Sequence, residues 1–214
     1  YYKNGKTPVG KPVIDKKIIY EVIQMARLSP YVTVKGSAKG EVGRVFGLGV
    51  AGFLGSVLEI EAVAFPAHNK GEGKVRFNET AGSMARDSVF NAASVLRKLT
   101  GEDLLNYDLH VNVIGGGKID GPSAGAAVCL AIYSAITGQA LRQDTALTGE
   151  ISLRGRIKAV GGIMEKIYGA RQAGMSRVIL PRENEADVPD NLQNLEVILV
   201  DNFEEALAYM VMGN

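Results

Sequence analysis

The sequence predicts an α+β domain, with mixed small sheets packed against helices in two sub-layers. Three observations carry this. Between Val42 and Asn78, short apolar runs bounded by glycine or proline follow one another closely, the pattern of hairpin strands. From Ser83 onward, strand-like and helix-like segments alternate instead. Hydrophobic side chains make up 46% of 214 residues, enough to fill one substantial core with an arm appended.

The elements follow in order. Residues 1–14, YYKNGKTPVGKPVI, are rich in Gly, Pro and Lys and read as extended. Asp15 is placed to cap a helix over Lys16–Leu28, closed by Pro30, with Ile18, Ile19, Val22, Ile23 and Met25 as its apolar stripe. Residues 35–43, KGSAKGEVG, read as a linker, so residues 1–40 form an arm and 41–214 the main domain. Strands follow in VGRVFGLGV, SVLEIEAVAF and KVRFN, then a helix over Ser83–Leu99 and a strand in YDLHVNVI. After the glycine-rich 115–121 comes the apolar helix AGAAVCLAIYSAI. TALTGEIS (145–152) and RIKAV read as strands, and Ile163–Ala173 as a helix with Gly174 at its C-terminal cap. The strands RVILP and EVILV and a closing helix over 203–212 complete the chain.

Composition excludes several function classes. The 24 Lys and Arg against 23 Asp and Glu leave a formal charge of +1, which gives no sign of a nucleic-acid surface or a polybasic membrane patch. No apolar run approaches the ~18 residues of a membrane span, and no signal-like start is present. The single cysteine, Cys129, lies in an apolar helix as core filler and suits a reducing compartment, so the chain reads as cytoplasmic. The GKT at 5–7 lacks the earlier glycine of a phosphate-binding loop and is followed at once by Pro8, so it is no nucleotide site. No C-x-x-C, H-E-x-x-H or His-rich grouping supports a metal or another cofactor.

The stretch GGGKIDGPSAGAAVCLAIYSAITG, 115–138, places a serine where a glycine-rich loop becomes an apolar helix. Proline suits the first helical position, so a helix begins beside Ser123. Ser123 is then either a helix cap or a nucleophile with the helix-start amides as an oxyanion hole. A nucleophile needs a base. His68 falls in the loop PAHNKGEG and His110 within a strand, where a core or supporting role suits it better. A buried lysine is the other activator, because desolvation lowers its pKa toward neutrality. Lys166 lies beside the stripe of Ile163, Ile167 and Ala170, although most helical lysines are solvated.

At these residues the chain resembles a known family. KIDGPSAGAAVCLAIYSAITG followed by TALTGEISLRGRIKAVGGIMEKIYGARQAG closely resembles the proteolytic domain of the Lon proteases, in which a serine and a lysine form a catalytic dyad. Ser123 matches the nucleophile of the D-G-P-S-A-G motif and Lys166 the lysine of G-G-x-x-E-K. They lie 43 residues apart, the spacing the family uses. VILPRENEADVP resembles the strand and turn after the lysine helix, and the likeness runs from about Val42 to the C-terminus. The resemblance implies a serine endopeptidase acting on unfolded or damaged proteins. Lys166, aided by a hydrogen bond from Thr148, takes the proton of Ser123, and amides near Gly121 and Ser123 hold the oxyanion. Asp120 either orders the oxyanion loop or restrains the lysine.

The chain departs from the pattern in places. Ile119 stands where many members carry a charge, with Lys118 one earlier; the IGGG loop is one residue shorter; Asn112 replaces the second of two histidines in the strand of His110; and Asp87 replaces a glutamate in AGSMARDSVFNAA. These bear on substrate preference more than on the dyad. The family further implies a six-membered ring of identical subunits and an ATPase module ahead of the protease, so ATP and Mg would act through a segment upstream. The abrupt YYKNGKTP start reads as a cut within a longer protein, with an ATP-independent relative as the alternative. Two rival functions are a degenerate peptide-binding domain and a phosphate-binding module using the 115–121 glycines.

Overall fold

The computed structural model describes residues 37–51, 54–78, 83–114, 121–190, 192 and 194–212. The helix expected over Lys16–Leu28 lies outside these residues, as does the 115–120 loop with Lys118, Ile119 and Asp120. Their elements are β1 (Ser37–Glu41), β2 (Arg44–Ala51), β3 (Leu54–Pro66), β4 (Val75–Phe77), α1 (Ser83–Thr100), β5 (Tyr107–Ile114), α2 (Gly125–Thr137), β6 (Leu141–Gln143), β7 (Thr145–Leu147), β8 (Glu150–Ile151), β9 (Ile157–Lys158), α3 (Ile163–Gln172), β10 (Arg177–Pro181), β11 (Glu196–Val200) and α4 (Phe203–Met210). Short 3-10 turns occupy Leu104–Asn106, Pro122–Ala124 and Arg182–Asp187.

Among the described residues one mixed sheet of seven strands dominates, in the order β11-β10-β7-β2-β3-β5-β4. β11, β10, β7 and β2 run parallel to one another, β3 is antiparallel to both β2 and β5, and β4 is parallel to β5. Two-stranded pairs β1-β6 and β8-β9 flank it. The domain is therefore α+β as expected, with one large sheet and two small ones.

Side-chain alternation divides the interior into two cores, one on each face of the sheet. Val45 of β2, Leu147 of β7 and Ile179 of β10 point into the first, with residues of α1, α2 and α4. Their immediate neighbours Phe46, Ala146, Val178 and Leu180 point into the second, with Ile163, Ile167 and Ala170 of α3. The period of two along a strand makes this alternation, and helices on both faces make these central strands apolar throughout. α2 is buried on nearly every side, Gly125 through Ile132, which explains why its sequence shows little amphipathic contrast.

Three local readings change. Residues 37–41, expected as linker, form β1, which pairs antiparallel with β6, a strand that the sequence did not suggest. The segment 145–152, expected as one strand, breaks at Thr148 and Gly149 into β7 and β8. The break has a cause: Gly149 N–H donates to the Ser123 carbonyl (2.9 Å) and Ala126 N–H to the Gly149 carbonyl (3.1 Å), so the start of α2 takes the backbone groups that a continuous ladder would use.

Candidate functional site

Ser123 sits in the 3-10 turn Pro122–Ala124, which runs directly into α2. Pro122 holds its first position, where a missing N–H leaves nothing unpaired. Gly121 ahead of it is extended (φ −177°, ψ 156°), and a Cβ there would meet nothing within 4 Å. The cap positions are Gly121 for the turn and Ala124 for α2, neither with a side-chain hydrogen bond. Ser123 is therefore not a helix cap. The turn closes on a hydrogen bond donated by Gly125 N–H to the Pro122 carbonyl, and the amide of Ser123 lies ahead of this ladder.

Lys166 reaches the same place from the other face of the sheet. α3 starts at Gly162, whose φ of +71° suits glycine, and where a Cβ would come within 2.6 Å of Val50 Cγ2. The helix then crosses β3 at backbone contact. A Cβ on Gly55 would lie 1.7 Å from the Glu165 carbonyl oxygen, and one on Gly169 2.5 Å from the Gly55 carbonyl carbon. Only a glycine on each side lets α3 lie this close, and that fixes the height of Lys166 over the end of β7.

Lys166 is 3% exposed. Burial lowers its pKa from 10.5 to about 8, opposed by the neighbouring Glu165 carboxylate. Nζ donates to Thr148 Oγ1 (3.1 Å), and that hydroxyl donates to the Ser123 carbonyl (3.1 Å). Thr148 thus meets Lys166, as expected, but receives the lysine's hydrogen bond instead of supplying one. Thr148 directly follows β7, so the two helices meet over the carboxyl end of a parallel strand, where open α/β sheets commonly place their sites.

Ser123 and Lys166 line one cavity of about 490 Å³. Val50, Pro122 and Val160 give it apolar walls, and Glu150 and Glu165 add carboxylates. The structure brings together Ser123, Lys166 and Thr148, with Gly121 one residue before the turn, whereas Asp120 lies outside the described residues. His68 is on an exposed loop. His110, expected in a core or supporting role, is exposed instead, its ring edge-on to Phe65 at 6.2 Å on the outer face of β5 and β3. Its side chain alternates away from Leu109 and Val111, which are buried. Cys129 is fully buried and burial pushes its thiol pKa well up, as befits a packing residue.

Sequence reasoning missed Asn184. Only 4% exposed, it accepts from Val160 N–H (2.9 Å) and donates to the Val160 carbonyl (3.0 Å) on the cavity wall. The family-like RENEAD stretch was the available signal, but nothing in the sequence tells which backbone its asparagine binds.

A half-buried serine at a helix start and a buried amine with its pKa lowered to about 8, facing one cleft, equip this fold for acyl transfer of the serine-hydrolase class. Comparison with known proteins narrows that class. The model of the Lon protease (S16) C-terminal proteolytic domain matches residues 14–213. An archaeal Lon protease of Pyrococcus abyssi is 36% identical over 92% of this chain and 22% of its own length. Lon protease 1 of Thermus thermophilus is 41% identical over 92% of the chain and 25% of its own length, and Lon protease 2 of Bacillus subtilis 39% over 87% and 36%. The chain belongs to the Lon family of serine proteases, as its proteolytic domain. It spans between about a fifth and a third of the length of these relatives.

Proposed function

We propose that this domain hydrolyses peptide bonds of unfolded or damaged polypeptides through a dyad of Ser123 and Lys166. The observation that carries the reading is Lys166 itself, buried, with a pKa of about 8, and linked through Thr148 to the residue whose hydroxyl shares its cleft. As Ser123 Oγ attacks the scissile carbonyl carbon, its proton passes to the neutral Lys166 amine and the carbonyl oxygen becomes an oxyanion. Amides near Gly121 and Ser123, at the start of the turn, would receive that charge, an interaction typically worth about 3 kcal/mol of barrier. The ammonium then protonates the leaving amine as the C–N bond breaks. A water, deprotonated by the same amine, hydrolyses the ester. Thr148 holds the amine and the Ser123 backbone at fixed separation through the cycle.

At about pH 7 roughly a tenth of a group with a pKa near 8 is neutral, against well under a thousandth for an ordinary lysine. Burial thus supplies a working base without a histidine. A fluorophosphonate that reacts with activated serines tests the assignment: Ser123 should be labelled, more slowly at pH 6 than at pH 9. A degenerate binding domain or a phosphate-binding module would leave it unlabelled.

We further propose that coupling to ATP and Mg runs through a module outside residues 1–214, and that six copies form a ring. The lone cysteine supports a cytoplasmic setting. No helix among the described residues is long and apolar enough to cross a membrane. Sedimentation across a concentration series tests the ring, and a monomer at every concentration would remove it.

A further inference from the structure

One wall of the cleft is a strand that pairs with side chains. β9 ladders with β8 only over Ile157 and Lys158. The chain then runs on through Ala159, Val160, Gly161 and Gly162, all of which face the cavity shared by Ser123 and Lys166. On the side away from the cavity, the 3-10 turn Arg182–Asp187 takes the place of a neighbouring strand. Glu183 accepts from Ala159 N–H (3.0 Å) and pairs with the Lys158 ammonium. Asn184 engages both the N–H and the carbonyl of Val160, and its second amide hydrogen goes to Asp187 Oδ2 (2.8 Å).

From this geometry, and resting on the dyad reading above, we infer that Asn184 is a positioning residue that sets the substrate wall of the cleft, with Glu183 as its weaker partner. An asparagine amide carries one acceptor and two donor hydrogens. Here all three are used, and two of the bonds reproduce what an adjacent strand would give Val160. With Asn184 nearly sealed from solvent, truncation leaves the Val160 N–H and carbonyl without their partners in a place poor in water, which is costly. Val160, whose side chain packs against the smaller core while the residue lines the cavity, would move to recover hydrogen bonds and carry that stretch of wall with it. The dyad is insulated from this movement: Thr148 and the Gly55–Gly169 crossing hold Lys166 independently of the turn at 182–187. Substrate binding should therefore suffer more than the reactivity of Ser123.

The test compares wild type, Asn184→Ala and Arg182→Ala. Arg182 lies in the same turn, but its guanidinium binds Asp201 and the Leu199 carbonyl instead of the wall. Cleavage of N-acylated tripeptide anilides with Ala, Leu or Phe at the cleaved residue is measured against pH, beside the rate at which phenylmethanesulfonyl fluoride modifies Ser123. For Asn184→Ala the expected result is a fall in kcat/KM of about 10-fold or more, mainly through KM and largest for Phe, with the acidic limb of the pH profile unmoved and sulfonylation within about threefold of wild type. Arg182→Ala should stay within about twofold throughout. If Asn184→Ala does not fold, half-exposed Glu183 serves instead: Glu183→Leu should raise KM about threefold, and Glu183→Gln, which keeps the acceptor, should restore it. Peptide cleavage by folded Asn184→Ala within twofold of wild type, sulfonylation falling in step with cleavage, or an equal loss in Arg182→Ala would overturn the inference. A wild-type chain that neither cleaves nor is modified at Ser123 would sink the dyad reading first, and this inference with it.

Discussion

The two faces of the central sheet treat the site's two key residues differently. On one face Ser123 stands at the mouth of α2, a helix of Ala, Val, Cys, Leu and Ile buried along its length in the larger core, and is itself half-buried. On the other, Lys166 is buried on the cleft side of α3, the helix that sends Ile163, Ile167 and Ala170 into the smaller core. The apolar helix behind the serine supplies a rigid platform, which the sheet would need with or without chemistry. The lysine is a burial that packing alone would not choose, since a methionine would fill the space without a charge to desolvate. Stability and reactivity coincide on the serine side and conflict on the lysine side.

Breaking either end chemically should give the largest effect. Ser123→Ala and Lys166→Ala are each expected to lower kcat/KM for peptides by about 10⁴ or more, and the double variant by little more, because groups that act as a unit are non-additive. Lys166→Arg should fail as completely, since a guanidinium does not give up its proton in this range.

Next in size is the contact that seats α3. Gly55→Ala would drive a methyl carbon to within 1.7 Å of the Glu165 carbonyl oxygen, backbone that cannot yield without moving the helix. A loss of about 3 kcal/mol is expected from such overpacking, read by urea denaturation. Gly121→Ala, on the serine side, meets open space in an extended backbone and should leave the unfolding midpoint unchanged.

The conflict at Lys166 can be measured without substrate. Its pKa is lowered from 10.5 to about 8 on folding, so between those values the unfolded chain binds more protons than the folded one and stability rises with pH. Below about pH 8 the buried ammonium is a fixed cost, on the order of 3 kcal/mol for a shift of this size. Lys166→Met should therefore be more stable than wild type at pH 7, and lose that advantage as pH rises from 8 to 10.5. An advantage that did not change with pH would mean that the lysine is not desolvated.

Much of this was legible in the sequence, for reasons that can be named. β5 was read with its observed ends because its burial alternates cleanly, and α1 to within a residue because Gly101 marks its close. Ser123 and Lys166 were legible because each lies in a long motif. β1 and β6 were not, since SAKGE and LRQ are short and polar and exist as strands only through each other. The break at Thr148 and Gly149 was hidden because TALTGEIS has strand propensity throughout, and its interruption comes from Ser123 and Ala126, more than twenty residues away. His110 was misread because a histidine in a strand does not reveal which face is inner.

The most direct measurement is the acidic limb of kcat/KM for peptide cleavage in wild type and in the His68→Gln, His110→Gln double variant. A lysine base that loses its proton near pH 8 requires activity to rise through that pH, with the limb in the same place when neither histidine is present. A limb near 6.5, or one that vanishes with His110, would contradict the account.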